Sequence, residues 1–339
     1  MVDLVALHCI HRKKYFDPLL RFKMPSLLLL TQLVLPIMLL LWLLLAPLRS
    51  LTAFSLQAFS TAIVLATIAL VAPWAMPPWW TPILYGAAFL LIVSGHALLR
   101  RRNPHRTKTQ PNEILVLLPL IILAFFGSHQ SWNAMVGHQL PQGEFVDVRS
   151  PFLRGHFIIE NAGATRQVNG HLHAADPLDP LHDVAFGQSR AIDIIPINRF
   201  GFRSSSFWPS DPEEYYGFGY PVVAPCDGLI LEVVDGRNDQ DVPRQDITTP
   251  SGNKVVIQCS GFRIVLAHLK SGSVVVETGN AVVSGDIIGQ VGNSGASTEP
   301  HLHIHAKRLS TFGSGSSFRP LWLLIDGQFL ARNDRVQAH

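Results

Sequence analysis

The stretch that decides the fold of the C-terminal half is residues 292–305, GNSGASTEPHLHIH. Its last five residues alternate histidine with an apolar residue, and alternate residues of a β-strand lie on one face of a sheet. The glycine-rich segment before them predicts a turn that leads the strand into a site. Imidazole is a common metal ligand, so three on one face indicate a metal centre, although an HxH pair alone is as typical of surface histidines. The three histidines are His301, His303 and His305.

Short β-rich runs separated by Gly, Pro and Asn surround this stretch. Their spacing and turn residues predict an all-β domain over residues 151–330. Residues 236–252 are predicted to be a surface loop, 313–317 a flexible Gly/Ser connection and 322–330 a last packed segment. The predicted strands are residues 157–160, 228–234, 254–258, 263–268, 273–276, 287–291 and 301–306.

The N-terminal half has a different character. The whole chain of 339 residues is 48% hydrophobic and 15% charged, with a mean hydropathy of +0.25, which is too apolar for a wholly soluble protein. About 20 residues of helix cross the hydrocarbon core of a bilayer. Three apolar stretches reach that length, and the fourth, residues 114–127, is short enough to be a buried soluble helix instead. We expect four transmembrane helices within residues 27–127, at 27–48, 52–72, 81–99 and 114–127, and a linker at 128–150.

Charge predicts how these helices lie in the membrane. The net charge of +3 divides into +8 for residues 1–140 and −5 for the remainder. The positive charge lies beside apolar runs, so we expect a lipid bilayer as partner and no nucleic acid. Short loops rich in Lys and Arg stay in the cytoplasm. The strongest cluster follows the third span, which predicts a multi-pass protein of the cytoplasmic membrane with an extracytoplasmic C-terminal domain. Its members are Arg100, Arg101, Arg102, Arg106 and Lys108.

Two N-terminal features bear on this topology. The basic segment 1–26 would lie outside if there are four spans, against the charge rule, unless translation starts at Met24. Between the second and third spans an uncharged loop carries three tryptophans, which predict an aromatic belt at the membrane surface. These are Trp74, Trp79 and Trp80.

With these motifs in place, a family resemblance is visible. Residues 292–303 resemble the end of the lysostaphin/LytM-type zinc metallopeptidases, whose pattern is close to V-G-x-[ST]-G-x-S-T-G-P-H-L-H. Glu299 stands where that pattern usually has Gly. The resemblance covers residues 187–308 and implies an all-β metallopeptidase domain that cleaves peptides of peptidoglycan. Five further matches occur in the family's order: AIDI at 191–194, PVVAPCDG at 221–228, GNKVVI at 252–257, LAHL at 266–269 and VSGDIIG at 283–289.

The resemblance also implies roles for four residues. Asp193 and His303 would be zinc ligands, and His268 and His301 would be the histidines that act on the substrate without binding the metal. A catalytic zinc typically has three protein ligands and one open position for water, and it lowers the pKa of that water towards about 7.

The third ligand is a departure from the family pattern. Ser189 stands four residues before Asp193, where the family has the first histidine of His-x-x-x-Asp. Either the site holds no metal or the ligand comes from elsewhere. A subgroup with Gln-x-x-x-x-Asp and an upstream Asn-x-His is similar to this sequence, and it favours His171 in Asn-Gly-His over His182 and His173. The alternative is that all three lie on a surface loop.

Other functions remain open from the sequence. A catalytically inactive LytM-type domain that binds cell wall or activates another hydrolase is favoured by Ser189 and opposed by the retained histidines. A lipoyl or biotinyl carrier is suggested by residues 283–292, which lack the required lysine. Cys226 and Cys259 would form a disulfide if their strands are neighbours outside the cytoplasm, and are otherwise two small buried residues.

Overall fold

The structure is a computed structural model. It describes residues 27–74, 77–102, 111–179, 182–309 and 318–338. The basic N-terminal segment with Met24 and the Gly/Ser connection at 313–317 therefore lie outside the described residues. Four long helices precede the β domain: α1 (Leu27–Leu45, with a π-helical turn at Leu30–Val34), α2 (Leu51–Val71), α3 (Thr81–Arg102) and α4 (Pro111–Gly137).

Three of these helices are long and apolar enough to cross a membrane. They are α1, α2 and the segment Thr81–Arg100 of α3, with mean hydropathies of 2.5, 2.0 and 1.8. Helix α4 extends to Gly137, beyond the predicted end at residue 127. Its last turns are polar, and they stay helical because they pack on the β domain: Thr165 Oγ1 donates to Asn133 O at 2.9 Å, and the N–H of Ala164 donates to Gly137 O at 2.8 Å.

The two ends of the helices differ in their contacts. Where α1 leads to α2, Arg100 Nη2 donates to Leu48 O at 2.6 Å, and the N–H of Arg49 donates to Glu113 Oε1 at 2.6 Å. This end holds the end of α3 and the start of α4. At the other end, the residues after α2 and the end of α4 contact the β domain. The arginine-rich end and the β domain therefore lie at opposite ends of the helices.

The C-terminal half is built on one large, mainly antiparallel sheet. The main path of the sheet is β13-β2-β3-β10-β7-β6-β5-β8; β11 adds to β10 and also pairs with β1 and β12, while β4 and β9 form a separate pair. The strands are β1 (Phe145–Val148), β2 (Gly155–Asn161), β3 (Ile192–Ile197), β4 (Pro221–Val223), β5 (Gly228–Val234), β6 (Asn253–Gln258), β7 (Arg263–Leu269), β8 (Ala281–Val282), β9 (Ile287–Gln290), β10 (Leu302–Leu309), β11 (Phe318–Ile325), β12 (Gln328–Phe329) and β13 (Arg335–Ala338).

The β domain differs from the all-β prediction in small ways. Short helical turns occur at Gly170–Ala175, His182–Ala185, Phe186–Gln188 and Pro212–Glu214. Residues 273–276 were expected to be a strand but are irregular, and Val275 keeps a single backbone bond to Ile288 O at 3.0 Å. Val274 and Val276 pack against the core from this loop, which explains their apolar character, whereas Val275 is exposed. The structure joins Cys226 and Cys259 in a disulfide, with Cα atoms 6.1 Å apart.

The sheet has two differently used faces. One face carries the main core, in which Ile194, Leu266, Leu302 and Ile304 are almost completely buried. On the opposite face, Trp74 from the residues after α2 is 2% exposed and packs on three isoleucines of β2 and β3. Trp74 is thus buried in the protein rather than in a membrane belt. The three isoleucines are Ile158, Ile195 and Ile197.

Candidate active site

Pairing of β3 with β10 creates the centre of the site. His303 and Asp193 are directly opposite each other in this antiparallel pair, and His303 Nδ1 lies 2.9 Å from Asp193 Oδ1. A third group comes from the helical turn Gly170–Ala175, where His171 Nε2 lies 2.8 Å from Asp193 Oδ2. The side chain of Asn169 caps this turn by accepting the N–H of His171 at 3.1 Å. Two strands and a capped turn thus bring three predicted ligands together.

These three residues form a cluster suited to a metal ion. One ligand atom from each of His171, Asp193 and His303 lies within 4.8 Å of the others. Two imidazoles and one carboxylate are the donors that zinc takes in catalytic sites with an open position. The donor set therefore fits zinc.

The upstream histidines lie in different surroundings. The ring of His171 meets Asp193, whereas His182 Nδ1 bonds to Ala174 O at 2.9 Å and its ring packs near Phe186. Ser189, at the family's usual ligand position, is 1% exposed, and its Oγ has no hydrogen-bond partner in the described part of the chain. The structure thus brings His171 to Asp193 and His303, and its role as third ligand, ahead of His173 and His182, stays a prediction.

Neighbouring side chains orient the three ligands. Asn161 Nδ2 donates to Asp193 Oδ2 at 3.2 Å, and His303 Nε2 lies 3.0 Å from His305 Nδ1. Burial holds the pKa of His305 well below its usual value, so this ring is neutral at pH 7. When His303 donates its Nε2 proton to His305, its Nδ1 lone pair is free for a metal.

The Asp193 carboxylate is prepared for the same task. Burial alone would raise its pKa, but the nearby rings of His171, His301 and His303 outweigh burial and hold the pKa well below its usual range. Asp193 is therefore ionised at any pH near neutrality, as a metal ligand must be.

His268 and His301 stand beside the cluster as a matched pair. Their ring centroids are 4.8 Å apart. His268 Nδ1 bonds to Ser294 O at 2.8 Å and His301 Nδ1 to Glu299 O at 2.8 Å. Each ring thus donates Nδ1–H to a backbone carbonyl and keeps Nε2 for the site; His301 Nε2 is 3.7 Å from Asp193 Oδ1. His268 has φ 61°, a left-handed conformation that few non-glycine residues adopt.

The pKa values of the two histidines are shifted in opposite directions. Burial, followed by the charges of His301 and His303, holds the pKa of His268 well below its usual value. Burial also acts to lower the pKa of His301, but Asp193 and Glu160 outweigh it and raise this pKa. An imidazole with a lowered pKa beside one with a raised pKa is an arrangement suited to act as base and acid.

A cleft of about 290 Å³ opens onto these groups. Four of its lining residues were not found from the sequence. Asn161 is the last residue of β2 and Arg332 lies in the turn before β13, far away in the chain; Glu160 precedes Asn161 in β2, and Pro73 lies in the loop that was assigned to the membrane surface. The cleft is lined by Pro73, Glu160, Asn161, His171, Asp193, His268, Ala296, Thr298, His301, His303 and Arg332.

Glu299, which departs from the family pattern, has a buried partner. It forms an ion pair with Arg203, whose guanidinium also faces the rings of Trp208 and Tyr215 at 5.2 and 5.7 Å. The backbone carbonyl of Glu299 accepts from both His301 Nδ1 and Ser297 Oγ. The pair therefore anchors the turn that places His301.

Comparison with protein families finds a match for part of the C-terminal half. Residues 216–316 match the model of Peptidase family M23. This segment is a peptidase family M23 domain. It contains His268, His301 and His303, whereas His171 and Asp193 precede it in the chain. The search of curated proteins found no match.

Several solved structures are similar to the M23 domain. The catalytic domain of the antimicrobial peptidase lysostaphin from Staphylococcus simulans is 24% identical, over 38% of this chain and 72% of that one, with a TM-score of 0.24. A mutant catalytic domain of the prophage-encoded M23 protein EnpA from Enterococcus faecalis is 21% identical, over 35% and 86%, with a TM-score of 0.23. A zinc-containing peptidase from Vibrio cholerae is 18% identical, over 44% and 48%, with a TM-score of 0.21.

Proposed function

We propose that the protein is a membrane-anchored zinc metalloendopeptidase that cleaves peptide bonds in peptidoglycan. The observation that carries this proposal is the placement of the His171, Asp193 and His303 cluster in one cleft with His268 and His301, a candidate base and acid whose ring centroids are 4.8 Å apart. A binding module has no need of such an acid and base pair. The substrate class rests on the M23 match and on the similarity to lysostaphin, described as an antimicrobial peptidase.

The residues divide the hydrolysis of a peptide bond between them. Zinc bound by the cluster would lower the pKa of a water molecule and polarise the scissile carbonyl. His268 accepts the proton of the attacking water at Nε2, as its low pKa keeps that nitrogen free at neutral pH. The water oxygen bonds to the carbonyl carbon, and the C–N bond breaks. His301 donates its Nε2 proton to the leaving amine.

The proposed location is the cytoplasmic membrane, with four spans and the M23 domain outside. The separation of the arginine-rich end from the β domain supports this orientation, because positively charged loops remain in the cytoplasm. The Cys226–Cys259 disulfide supports it as well, since disulfides persist in oxidising compartments. A reporter that is active only outside the cytoplasm should be active when fused after His339. If instead a reporter that works only in the cytoplasm is active there, the topology is reversed and peptidoglycan is excluded as substrate.

The test of activity uses the full-length protein in detergent or nanodiscs. It should release peptide fragments from purified peptidoglycan, as detected by mass spectrometry; a chelator should stop the release and zinc should restore it. His303→Ala and Asp193→Ala should lose bound zinc. His301→Ala should retain zinc and lose on the order of 10²- to 10⁴-fold in rate, while the matched control His182→Ala should keep both.

Two results would change the assignment. Equal zinc content in the wild type and in His303→Ala would overturn the ligand set. Zinc-loaded protein that binds peptidoglycan but releases no fragments would favour the inactive, wall-binding alternative.

A further inference from the structure

The residues that follow α2 are fastened to the face of the sheet that carries the active site. The N–H of Trp74 donates to Asn333 Oδ1 at 2.9 Å, and Asn333 Nδ2 donates to Ala72 O at 2.9 Å. The indole of Trp74 is buried on isoleucines of β2 and β3. Pro73, between these two anchored residues, lines the cleft. One wall of the candidate active site thus comes from the connection between two apolar helices.

Arg332 links the end of α2 to the sheet. Its Nη1 donates to Val71 O at 2.9 Å and to Gln167 O at 3.1 Å, and its Nε donates to Glu160 O at 2.8 Å. The remaining described bond runs from Nη2 to Asn161 Oδ1 at 3.2 Å. A planar guanidinium holds such a set of acceptors in fixed directions, which a lysine cannot do. Arg332 is therefore a rigid junction between the helix end and β2.

Asn161 connects Arg332 to the metal cluster. Its Oδ1 accepts the N–H of Gly170 at 2.8 Å, at the start of the turn that presents His171. Its Nδ2 donates to Asp193 Oδ2 at 3.2 Å. A single amide thus orients one ligand directly and places the backbone that carries a second. Groups that orient ligands in this way tune metal affinity by about 10- to 100-fold.

We propose that the membrane helices complete the active site: the docked end of α2 acts through Arg332 and Asn161, as positioning residues, to set the zinc affinity of the cluster. This inference rests on the proposed function, because it takes the cluster to be a zinc site. It adds residues 71–74 to the groups that set the zinc affinity of the cluster. The M23 domain therefore reaches its full zinc affinity only when its own helices are docked.

The test is a zinc affinity, measured on full-length protein in nanodiscs by competition with a chromophoric chelator. Arg332→Gln should weaken zinc binding about 10- to 100-fold. Asn333→Gly leaves Arg332, Asn161 and all ligands in place, keeps a residue that adopts the φ of 71° at this position without strain, and removes the side-chain bonds to the loop; it should weaken zinc binding by at least about threefold, as expected for the loss of hydrogen bonds of modest net strength. The matched control is Arg244→Gln, which removes the same charge at an exposed position where the side chain pairs with Asp241 at 3.3 Å; it should bind zinc like the wild type.

The outcomes separate this inference from the proposed function. A wild type that binds no zinc refutes the proposed zinc enzyme. If the wild type binds zinc and both Arg332→Gln and Asn333→Gly bind it with wild-type affinity, the inference is overturned and the enzyme stands. Weakening in Arg332→Gln but not in Asn333→Gly overturns the role of the helices. Should Arg332→Gln fail to fold, as judged by near-ultraviolet circular dichroism, Asn333→Gly alone decides.

Discussion

Glu299→Gly, which introduces the residue usual in the family, should destabilise this protein. Glu299 and Arg203 are buried, with side chains 7% and 6% exposed, and they form an ion pair. Removing one partner of a buried pair leaves an uncompensated charge and costs about 3–5 kcal/mol. The pair is made by Arg203 Nη1 and Glu299 Oε1, whereas Arg203 Nε and Glu299 Oε2 have no hydrogen-bond partner in the described residues. The pair is thus incompletely satisfied, so we place the cost near the lower end, at about 3 kcal/mol.

Thermal unfolding of full-length protein in detergent, followed by near-ultraviolet circular dichroism, measures this cost. For a domain of this size, about 3 kcal/mol lowers Tm by about 6–12 °C. The matched control is Glu277→Gly at an exposed loop position, which should change stability by less than about 1 kcal/mol. The double variant Arg203→Met with Glu299→Gly should recover part of the loss, because no buried charge remains. A Glu299→Gly protein within about 1 kcal/mol of the wild type would refute the reasoning.

Three further predictions concern other groups. His305→Ala should weaken zinc binding by about 10- to 100-fold while His303 is retained, measured by chelator competition; unchanged affinity would exclude His305 as an orienting group. Burial and the charge of Glu299 raise the pKa of Glu160 to about 7. In metal-free protein the folded state then binds more protons than the unfolded state, so stability should fall as pH rises from about 5 through 7, and Glu160→Gln should lose this dependence in thermal scans; a parallel pH profile would contradict it. Reducing the Cys226–Cys259 disulfide, which spans 33 residues, should cost about 3–4 kcal/mol in urea unfolding, whereas an unchanged midpoint would show that the bond is not formed.

Local patterns in the sequence were sufficient for much of the fold. Alternation of histidine with Leu302 and Ile304 predicts a strand with one polar face, and β10 is that strand. Lengths of apolar runs predict α1, α2 and α3, since crossing a membrane sets a length requirement that is local to each run. Where tertiary contacts decide, local patterns failed. Helix α4 continues to Gly137 because Thr165 and Ala164 form hydrogen bonds to its last turns. These partners are distant in sequence, so the pattern of residues 128–137 alone does not predict them.

The candidate site shows the same division. Ordered motifs led to all five predicted residues, and the structure brings them together, although their roles remain predictions. The supporting groups could not be found in this way. Arg332 and Asn161 are 171 positions apart and meet because β13, which begins just after Arg332, pairs with β2, which ends at Asn161. Trp74 was interpreted from composition as a membrane anchor, because an aromatic side chain at a helix end suits both a bilayer surface and an apolar protein face.

The patch of isoleucines under Trp74 also bears on how the β domain behaves when it is produced without the helices. A secreted enzyme domain can exist on its own, because its apolar side chains are packed in its core and its outer faces are compatible with water. Here Ile158 and Ile195 are only 1% exposed with Trp74 in place. Cutting the chain before residue 141 would expose them beside an empty cleft wall. Exposed apolar patches of this kind promote aggregation. An excised β domain is therefore expected to aggregate through this face.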